Sequence, residues 1–206
     1  RAAIPRRGQP PLYTGLPKSR ATSTGLARQG RGAGFRARGM ARPSGKPAVF
    51  FATSGPGATN TSTALADAKL DSVPIICITG QVSCSMIGTD AFQEVDIYGM
   101  SVPITKHNFL VHSLEELARV IPEAFTIAAS GRPGPVLIDI PKDVQCAPLL
   151  DLELPEPGLP LPPVQPDADL LGRAAELINN SKRPVPFLGG GTVRPETASA
   201  ALELVE

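Results

Sequence analysis

The chain has 206 residues, of which 42% are apolar, so it can bury the core of one domain or of one domain and part of a second. No stretch approaches the run of about 18 apolar residues that a membrane-spanning helix needs. The net charge is only +1, yet residues 1–66 contain no acidic residue, and the rest of the chain has nine basic residues against 19 acidic ones. Such a split is typical of an anion-binding tail or a targeting peptide.

The N-terminal segment shows no sustained hydrophobic period. Its arginines and prolines predict a largely disordered stretch over residues 1–38. It lacks the apolar centre of a secretory signal, and too few aromatic residues accompany the arginines to favour binding of nucleic acid. Gly32–Arg42 can form a short helix, which Pro43-Ser44-Gly45 is expected to end.

A strand, a glycine turn and a helix follow one another at the centre of the chain. Ala48–Thr53 is an apolar run of strand formers, Ser54–Gly57 is a turn, and Ala58–Leu70 has helical spacing. Gly55 and Gly57 remove side chains from the turn, so a ligand can lie directly on the backbone. A turn without a ligand explains the same residues, and the pattern alone leaves both possibilities open.

The remaining elements continue an alternation of strands and helices. Ser113 and Glu116 form a capping box for a helix that runs to about Ser130. Three further strands are predicted at Ile75–Thr79, Thr105–Val111 and Pro135–Ile140. This alternation predicts an α/β fold with a doubly wound parallel sheet.

A proline-rich linker separates this domain from the start of another. Seven prolines fall within residues 148–166. Beyond them we expect a helix from Asp167 to about Ser181, a strand at Pro184–Leu188, a glycine turn and a helix near Pro195. One βα step cannot complete a core, so the sequence has the character of a piece cut at both ends.

Neither the cysteines nor the histidines indicate a metal site. Cys77, Cys84 and Cys146 are odd in number and lack C-x-x-C spacing, which favours structural thiols in a reducing cytosol and predicts a cytoplasmic protein. His107 and His112 are five residues apart, which places them on opposite faces of a strand. We therefore predict no metal ligands in this chain.

Several stretches, in order, resemble the thiamine-diphosphate-dependent enzymes over about residues 39–206. IGTDAFQE and SGRPGPVLIDIPKD point within that family to the catalytic subunit of acetolactate synthases. The matching segments are FFATSGPGATN, ALADAKLDSVPIICITGQV, IGTDAFQEVDI, ITKHNFLV, EAFTIAASGRPGPVLIDIPKDVQ and, more loosely, RPVPFLGGG.

The resemblance implies an activity and an organisation. Residues 39–147 would be most of the pyrimidine-binding domain, and residues 167–206 would begin a central, FAD-associated domain. A third domain, absent here, would bind the diphosphate and its Mg²⁺. The family condenses two pyruvates, or pyruvate and 2-oxobutyrate, with loss of CO₂ in branched-chain amino-acid biosynthesis. It works as a homodimer or tetramer, and a regulatory subunit is possible. This chain alone is expected to be inactive.

The resemblance also assigns roles to individual residues. Gly55 and Gly57 would meet the aminopyrimidine ring, and the Gln93 amide would lie over the cofactor and address a reacting carbonyl. Phe92 would line the substrate channel and Lys142 would attract anionic 2-oxo acids. The residues implied at FAD are Ser72, Arg132, Gly189, Gly190 and Gly191. Without the family, Phe92 would be read as core, Lys142 as a solvated charge and Arg132 as a surface residue in a turn.

One departure from the family pattern affects the chemistry. The family has a glutamate in a run like Arg-His-Glu-Gln-Gly-Ala, where its carboxylate activates the aminopyrimidine; here the run is Arg28–Ala33, and Gly30 holds that place. Arg31 cannot substitute, because a guanidinium has no acceptor. Together with the missing acids and period, this suggests that residues 1–38 are coding sequence read out of frame or assembled with errors. A verified in-frame read that retains Gly30 would reject that explanation.

Three other functions remain open on sequence alone. The chain can belong to a sister carboligase or decarboxylase acting on another 2-oxo acid. It can also be a binding module that kept the fold and lost the chemistry, which Gly30 favours. An anion-binding basic tail is the remaining alternative, and it would bind DNA in a salt-dependent way.

Overall fold

The computed structural model describes residues 2–3, 25–148, 153–192 and 195–205. These residues fall into two compact units, Arg1–Leu161 and Pro162–Glu206, which are described separately. The boundary between the units lies inside the proline-rich segment 148–166. None of the helices in the described part of the chain is long and apolar enough to cross a membrane.

A parallel sheet forms the centre of the first unit, in the strand order β2-β1-β3-β4-β6-β5. The order departs from chain order, as expected where helical crossovers join parallel strands, and the predicted α/β fold is confirmed. The strands are β1 (Ala2–Ala3), β2 (Gly25–Leu26), β3 (Ala48–Ala52), β4 (Ile75–Gln81), β5 (His107–Leu110) and β6 (Val136–Pro141).

Helices connect these strands. The predicted single helix over 58–70 is two helices, because the chain turns at Asn60 and Thr61, where the buried Thr61 hydroxyl donates to the carbonyl of Ala58 at 2.7 Å. The helices of this unit are α1 (Gly30–Ser44), α2 (Pro56–Thr59), α3 (Ser62–Leu70), α4 (Ile97–Ser101), α5 (Leu114–Ala129) and α6 (Lys142–Cys146). Short 3₁₀ turns lie at Cys84–Met86 and Val102–Ile104.

Helix α1 confirms one prediction and contradicts another. The short helix expected at Gly32–Arg42 is present over Gly30–Ser44 and ends within Pro43-Ser44-Gly45 as expected, at a C-cap on Gly45 with φ 64°, whereas the disorder expected over residues 30–38 is wrong. Its buried face consists of Ala33, Ala37 and Ala41, each 0% exposed. Small residues at four-residue spacing let the helix pack closely, although they give a weak hydrophobic signal. The predicted disorder of residues 4–24 lies outside the described residues.

The basic residues of α1 meet the first acidic residues of the chain. Arg38 pairs with Asp67 at 2.5 Å and with Asp71, and Arg42 pairs with Asp71 at 3.0 Å. These contacts join α1 to α3 and its C-cap. Part of the charge asymmetry in the sequence is therefore balanced across a helix–helix contact.

The core has two layers, one on each face of the sheet. Phe50, Leu65 and Leu137 lie in the layer shared with α1, α3 and α4. Ile76 and Ile138 lie in the other layer, beneath α5. Successive residues of β4 and β6 point to opposite faces of the sheet, and helices cover both faces. Both strands are therefore buried along nearly their whole length. Full burial of one Phe or Leu side chain stabilises the fold by about 1.5–3 kcal/mol. The two core layers therefore hold the strands in place, and with them the loops that follow their carboxyl ends.

The N-terminus of α5 forms as predicted. The Ser113 hydroxyl accepts from the Glu116 amide at 3.1 Å. The Glu116 carboxylate returns to the amide of His112 at 2.7 Å, one residue before the expected partner. Both contacts satisfy donors at the helix start.

The second unit contains α7 (Ala168–Asn179), a turn at Gly190–Thr192 and α8 (Pro195–Val205). Asp167 caps α7 by accepting from the amides of Asp169 and Leu170. The predicted strand at Pro184–Leu188 is wrong, and Phe187 within it is 97% exposed. A strand needs a neighbour to complete its hydrogen bonds, and the described residues of this unit contain no other strand.

Candidate functional site

The turn that follows β3 contacts the loop that follows β4, and the contact is between Gly55 and Gln93. Gly55 has φ 58° and ψ −124°, a conformation that side chains disfavour. A Cβ on Gly55 would lie 2.7 Å from the carbonyl oxygen of Gln93 and 2.9 Å from its Cα. The turn after β3 therefore touches the backbone of the loop after β4 directly.

Gly57 and Gly30 extend this contact toward α1. A Cβ on Gly57 would collide with the methyl group of Thr53. A Cβ on Gly30, the first residue of α1, would lie 2.9 Å from the carbonyl oxygen of Gly57 and 3.2 Å from the methyl carbon of Thr61. The structure thus brings Gly30, Gly57, Gly55 and Gln93 into one run of close backbone contacts.

The loop that carries Gln93 has an unusual backbone. Gly88, Asp90 and Gln93 have φ values of 84°, 56° and 63°. The Glu94 carboxylate accepts from the amide of Gly88 and from the amide of Ala91, the latter at 3.0 Å. These hydrogen bonds lower the pKa of Glu94. The hydrogen bonds to Glu94 stabilise the turn, whose positive φ values are strained.

Phe92 and Lys142 lie at the same edge of the sheet. Phe92 precedes Gln93 and is 89% exposed, so it is not part of the core. Lys142 begins α6 immediately after β6 and is exposed. An exposed cation at this edge fits both attraction of anions and an ordinary solvated charge.

A buried polar cluster behind the loop was missed by the sequence reasoning. Asp139 of β6 is 1% exposed and accepts from the Thr79 hydroxyl at 2.7 Å and from the Gln81 amide at 3.0 Å. Burial raises the pKa of Asp139 to about 6, and the Asp96 carboxylate adds to the rise, while the two hydrogen bonds oppose it. The signal in the sequence was one aspartate inside the apolar strand VLIDIP.

Ser72 and Arg132 lie at the opposite, amino edge of the sheet. Arg132 Nε donates to Ser72 Oγ at 2.8 Å, and its Nη2 donates to the carbonyl of Leu70 at 3.3 Å. Ser72 precedes β4 and has φ 57°, and Arg132 precedes β6. The structure thus brings together two of the residues that the resemblance implies at FAD.

Gly189, Gly190 and Gly191 lie in the second unit. The carbonyl of Gly189 accepts from the amide of Thr192 at 3.1 Å and from its hydroxyl at 2.7 Å, which closes a turn. No described atom lies within 4 Å of a Cβ built at any of the three glycines. Packing inside this unit therefore does not require glycine at these positions.

The three cysteines are free thiols in different surroundings. Cys77 is buried, and burial raises the pKa of its thiol to about 12, so it stays protonated. Cys84 lies beside Asp143, whose carboxylate accepts from the Cys84 amide at 3.1 Å. Over the described ranges, no three His, Cys, Asp or Glu side chains gather as a metal ion would require.

Comparison with known proteins gives this geometry a context. Residues 3–100 match the family described as thiamine pyrophosphate enzyme, N-terminal TPP binding domain. The match begins upstream of residue 39, where the sequence pattern placed the start of the domain. The acetolactate synthase isozyme 1 large subunit of Escherichia coli is 58% identical over 185 residues, which cover 89% of this chain. The first unit therefore carries the N-terminal TPP binding domain of the thiamine pyrophosphate enzymes.

Other similar proteins come from distant organisms. The acetolactate synthase of Mycobacterium bovis is 48% identical over 206 residues, covering 98% of the chain. The chloroplastic acetolactate synthase 3 of Brassica napus is 48% identical over 198 residues, covering 93%. The chain spans about a third of the length of these relatives: 33% of the Escherichia coli and Mycobacterium bovis proteins and 30% of the Brassica protein.

The residues present fit the family's cofactor in one respect and not in another. The exposed Gln93 lies beside the glycine turn at the carboxyl edge of the sheet, so its amide can reach a ring bound there. A Cβ at Gly55 would meet the Gln93 backbone and a Cβ at Gly57 would meet the Thr53 methyl, so packing within the chain already requires glycine at both positions. Gly30, at the position where the resemblance implies a carboxylate, has no side chain. Glu94 and Asp96, two of the acids near Gln93 in sequence, accept from backbone amides of their own loop and of α4.

Proposed function

We propose that this chain is part of the catalytic subunit of an acetolactate synthase and that its carboxyl-edge glycine turn receives the aminopyrimidine ring of thiamine diphosphate. The observation that carries the proposal is the packing of Gly55 against the backbone and Cβ of Gln93, which puts the glycine turn next to the residue that bears the amide. The relatives named acetolactate synthase, 58% and 48% identical, support the choice of reaction.

Thiamine diphosphate, when bound, supplies a nucleophilic carbon for addition to 2-oxo acids. Gly55 and Gly57 would present backbone to its ring. The Gln93 amide, which can both donate and accept, would orient the carbonyl of the acceptor. Phe92 would wall the channel, and Lys142 would raise the local concentration of anionic substrates. The substrates proposed are two pyruvates, or pyruvate and 2-oxobutyrate, as in branched-chain amino-acid biosynthesis.

Gly30 limits this activity. A ring nitrogen that needs a carboxylate partner would face a residue without a side chain, and loss of such a positioned proton partner costs about a hundredfold or more in rate. The chain as it stands is therefore proposed to hold the cofactor poorly and to turn over slowly. The same observation favours a second function, a binding module that keeps the fold without the chemistry.

The remaining assignments extend the proposal beyond the first unit. Ser72 and Arg132 are proposed to contact FAD, with Gly189–Gly191 as a second contribution. The pyrimidine-binding domain is proposed to end at residue 147 and to begin upstream of residue 39, because the family match starts at residue 3 and α1 belongs to the first unit. Residues 148–166 are assigned to a linker and residues 167–206 to the start of an FAD-associated domain. Mg²⁺ and the diphosphate are assigned to a further domain. A cytoplasmic homodimer or tetramer, with a regulatory subunit, is the proposed assembly.

A chimera tests the function. The matching third of the Escherichia coli isozyme 1 large subunit is replaced by this chain, with and without Gly30→Glu. Acetolactate formed from pyruvate and thiamine diphosphate affinity are measured for both. We expect the Gly30→Glu chimera to form acetolactate at least a hundredfold faster than its parent. Absence of acetolactate from both chimeras would reject the proposed function, whereas equal rates would reject the role given to position 30.

A parent chimera that binds thiamine diphosphate tightly but forms no product supports the binding module. Measuring the CO₂ released from glyoxylate, and comparing it with that released from pyruvate, separates a sister carboligase from an acetolactate synthase. Product from glyoxylate alone would exclude the proposed reaction.

A further inference from the structure

We propose that Gln81 is a positioning residue for Gln93, acting as a clasp that closes the loop 82–95 at both ends, and that Asp139 holds the clasp in its working orientation. This inference rests on the proposed function for the role of Gln93. The anchoring itself rests only on contacts within the first unit.

The side chain of Gln81 reaches both ends of the loop. Its Oε1 accepts from the amide of Val82 at 2.9 Å, at the start of the loop. Its Nε2 donates to the carbonyl of Val95 at 2.8 Å, 14 residues further along the chain. Gln81 is the last residue of β4 and is only 7% exposed, so these contacts are shielded from water.

The contact with Val95 lies two residues from Gln93. The loop carries positive φ values at Gly88, Asp90 and Gln93, which an isolated loop would relax. The Glu94 carboxylate braces the turn from within. Asp143 holds the start of the loop at the Cys84 amide, and Gln81 ties its far end to β4 next to Gln93, so Gln81 helps to determine where the backbone of Gln93 meets Gly55.

Asp139 determines which way the Gln81 amide faces. A carboxylate only accepts hydrogen bonds, so the NH₂ group of Gln81 must face it, at 3.0 Å. That orientation leaves Oε1 for the Val82 amide. The second oxygen of Asp139 is held by Thr79 at 2.7 Å, and the titratable groups that face the carboxylate are Asp96 and Cys77. None of them can compete as a cation for Asp139.

The test compares Gln81→Leu with Thr79→Val. Both substitutions remove one donor to Asp139, but only the first removes the contact with Val95. Amide hydrogen exchange of the whole chain is measured by mass spectrometry. We expect peptides over 86–95 to exchange at least tenfold faster in Gln81→Leu, with peptides from α5 unchanged. Thr79→Val is expected to leave exchange over 86–95 at the parental rate. Parental exchange in Gln81→Leu, or an equal rise in both variants, would overturn the clasp.

A second variant keeps the test decisive if Gln81→Leu does not fold. Gln81→Glu combined with Asp139→Asn restores an acid–amide pair in the buried cluster but cannot donate to Val95. We expect this double variant to fold and to show the same fast exchange over 86–95. Parental exchange over 86–95 in the folded double variant would overturn the clasp.

Kinetics in the Gly30→Glu chimera test the positioning role. With Gln93 displaced, kcat should fall about tenfold in the Gln81 variants while KM for pyruvate stays within about twofold, because the acceptor is bound but misoriented. Thr79→Val should leave both constants unchanged. A parental kcat in a variant with fast loop exchange would overturn the positioning role. Fast exchange over 86–95 in chimeras that form no acetolactate supports the clasp and rejects the proposed function.

Discussion

The backbone of Gln93 lies in the space that a side chain on Gly55 would need. A Cβ on Gly55 would approach the Gln93 carbonyl oxygen to 2.7 Å. Two loops that follow neighbouring strands thereby fix each other's position. Glycine is required at 55 for its conformation and for this approach, so a change at Gly55 acts on Gln93 as well.

Gly55→Ala should destabilise the chain more than a positive φ alone explains. Strain and collision together are expected to lower the free energy of unfolding by about 2–4 kcal/mol. Gly45→Ala is the control, because Gly45 has φ 64° but no atom within 4 Å of its Cβ position, and it should cost only about 1 kcal/mol. Urea unfolding at equilibrium measures both. Equal losses of stability in the two variants would show that the Gln93 backbone moves aside without an energetic penalty.

Helix α1 offers the same substitution in two environments. A methyl group on Gly34 would lie 2.5 Å from the Cβ of Ala64, whereas nothing lies within 4 Å of the corresponding position on Gly39. Gly34→Ala should therefore destabilise by about 1–3 kcal/mol through overpacking. Gly39→Ala should stabilise by about 0.5–1 kcal/mol through helix propensity. Thermal unfolding gives the two signs, and a stabilising Gly34→Ala would contradict the close packing of α1 on α3.

Asp139 makes stability depend on pH in the acid range. Its pKa is raised from 3.8 to about 6 in the folded state, so the folded chain binds the proton more tightly than the unfolded chain. The resulting stability is fully present below about pH 4, falls as pH rises toward 6, and is lost above that. The contribution is on the order of 3 kcal/mol for a shift of about two units.

Asp139→Asn should abolish that contribution. The amide can accept from Gln81 and donate to Thr79, so the cluster keeps its hydrogen bonds without a titrating group. In urea unfolding between pH 4 and 7, the free energy of unfolding of the variant should rise relative to that of the parent as pH rises. The difference should level off above pH 6. A difference that does not change with pH would disprove the raised pKa.

Arg132 and Lys142 should affect different ligands, because they lie at opposite edges of the sheet. In the Gly30→Glu chimera, Arg132→Ala is expected to weaken FAD retention about tenfold, because it removes a charge-assisted hydrogen bond from the guanidinium to the flavin nucleotide. It should leave KM for pyruvate unchanged. Lys142→Ala should raise KM severalfold, most at low salt, without affecting FAD. Gel filtration with flavin absorbance and steady-state kinetics separate the two. If both variants lose FAD equally, the assignment by edge is wrong.

Strong local patterns made most of the sheet predictable. β3, β4 and β6 are apolar runs bounded by Gly and Pro, and Ser113 caps α5 where its sequence indicates. Helix α1 was underestimated because alanine and glycine carry little hydrophobic contrast, although Ala33, Ala37 and Ala41 recur every four residues. The division of helix 58–70 depends on a hydroxyl contact at Thr61, which periodicity cannot reveal.

The site was predictable in part. Gly55 and Gln93 are 38 residues apart in sequence, and their contact depends on β3 and β4 being neighbours in the sheet. The likeness to a family indicated both residues, whereas spacing alone indicated only the glycine turn. Gln81 and Asp139 were missed because their roles depend on the pairing of β4 with β6, where Thr79 lies beside Asp139. Such tertiary contacts have no local signature.

The close packing around Gly30 constrains the introduction of an acid at that position. The first turn of α1 rests on the Gly57 carbonyl and the Thr61 methyl, at 2.9 Å and 3.2 Å from the point where a new side chain would begin. A glutamate there must displace the first turn of α1 by a few tenths of an ångström, so Gly30→Glu is expected to lower the free energy of unfolding while it raises turnover. Thr61→Ser removes the methyl contact and leaves the contact with the Gly57 carbonyl, so it should recover part of the lost stability.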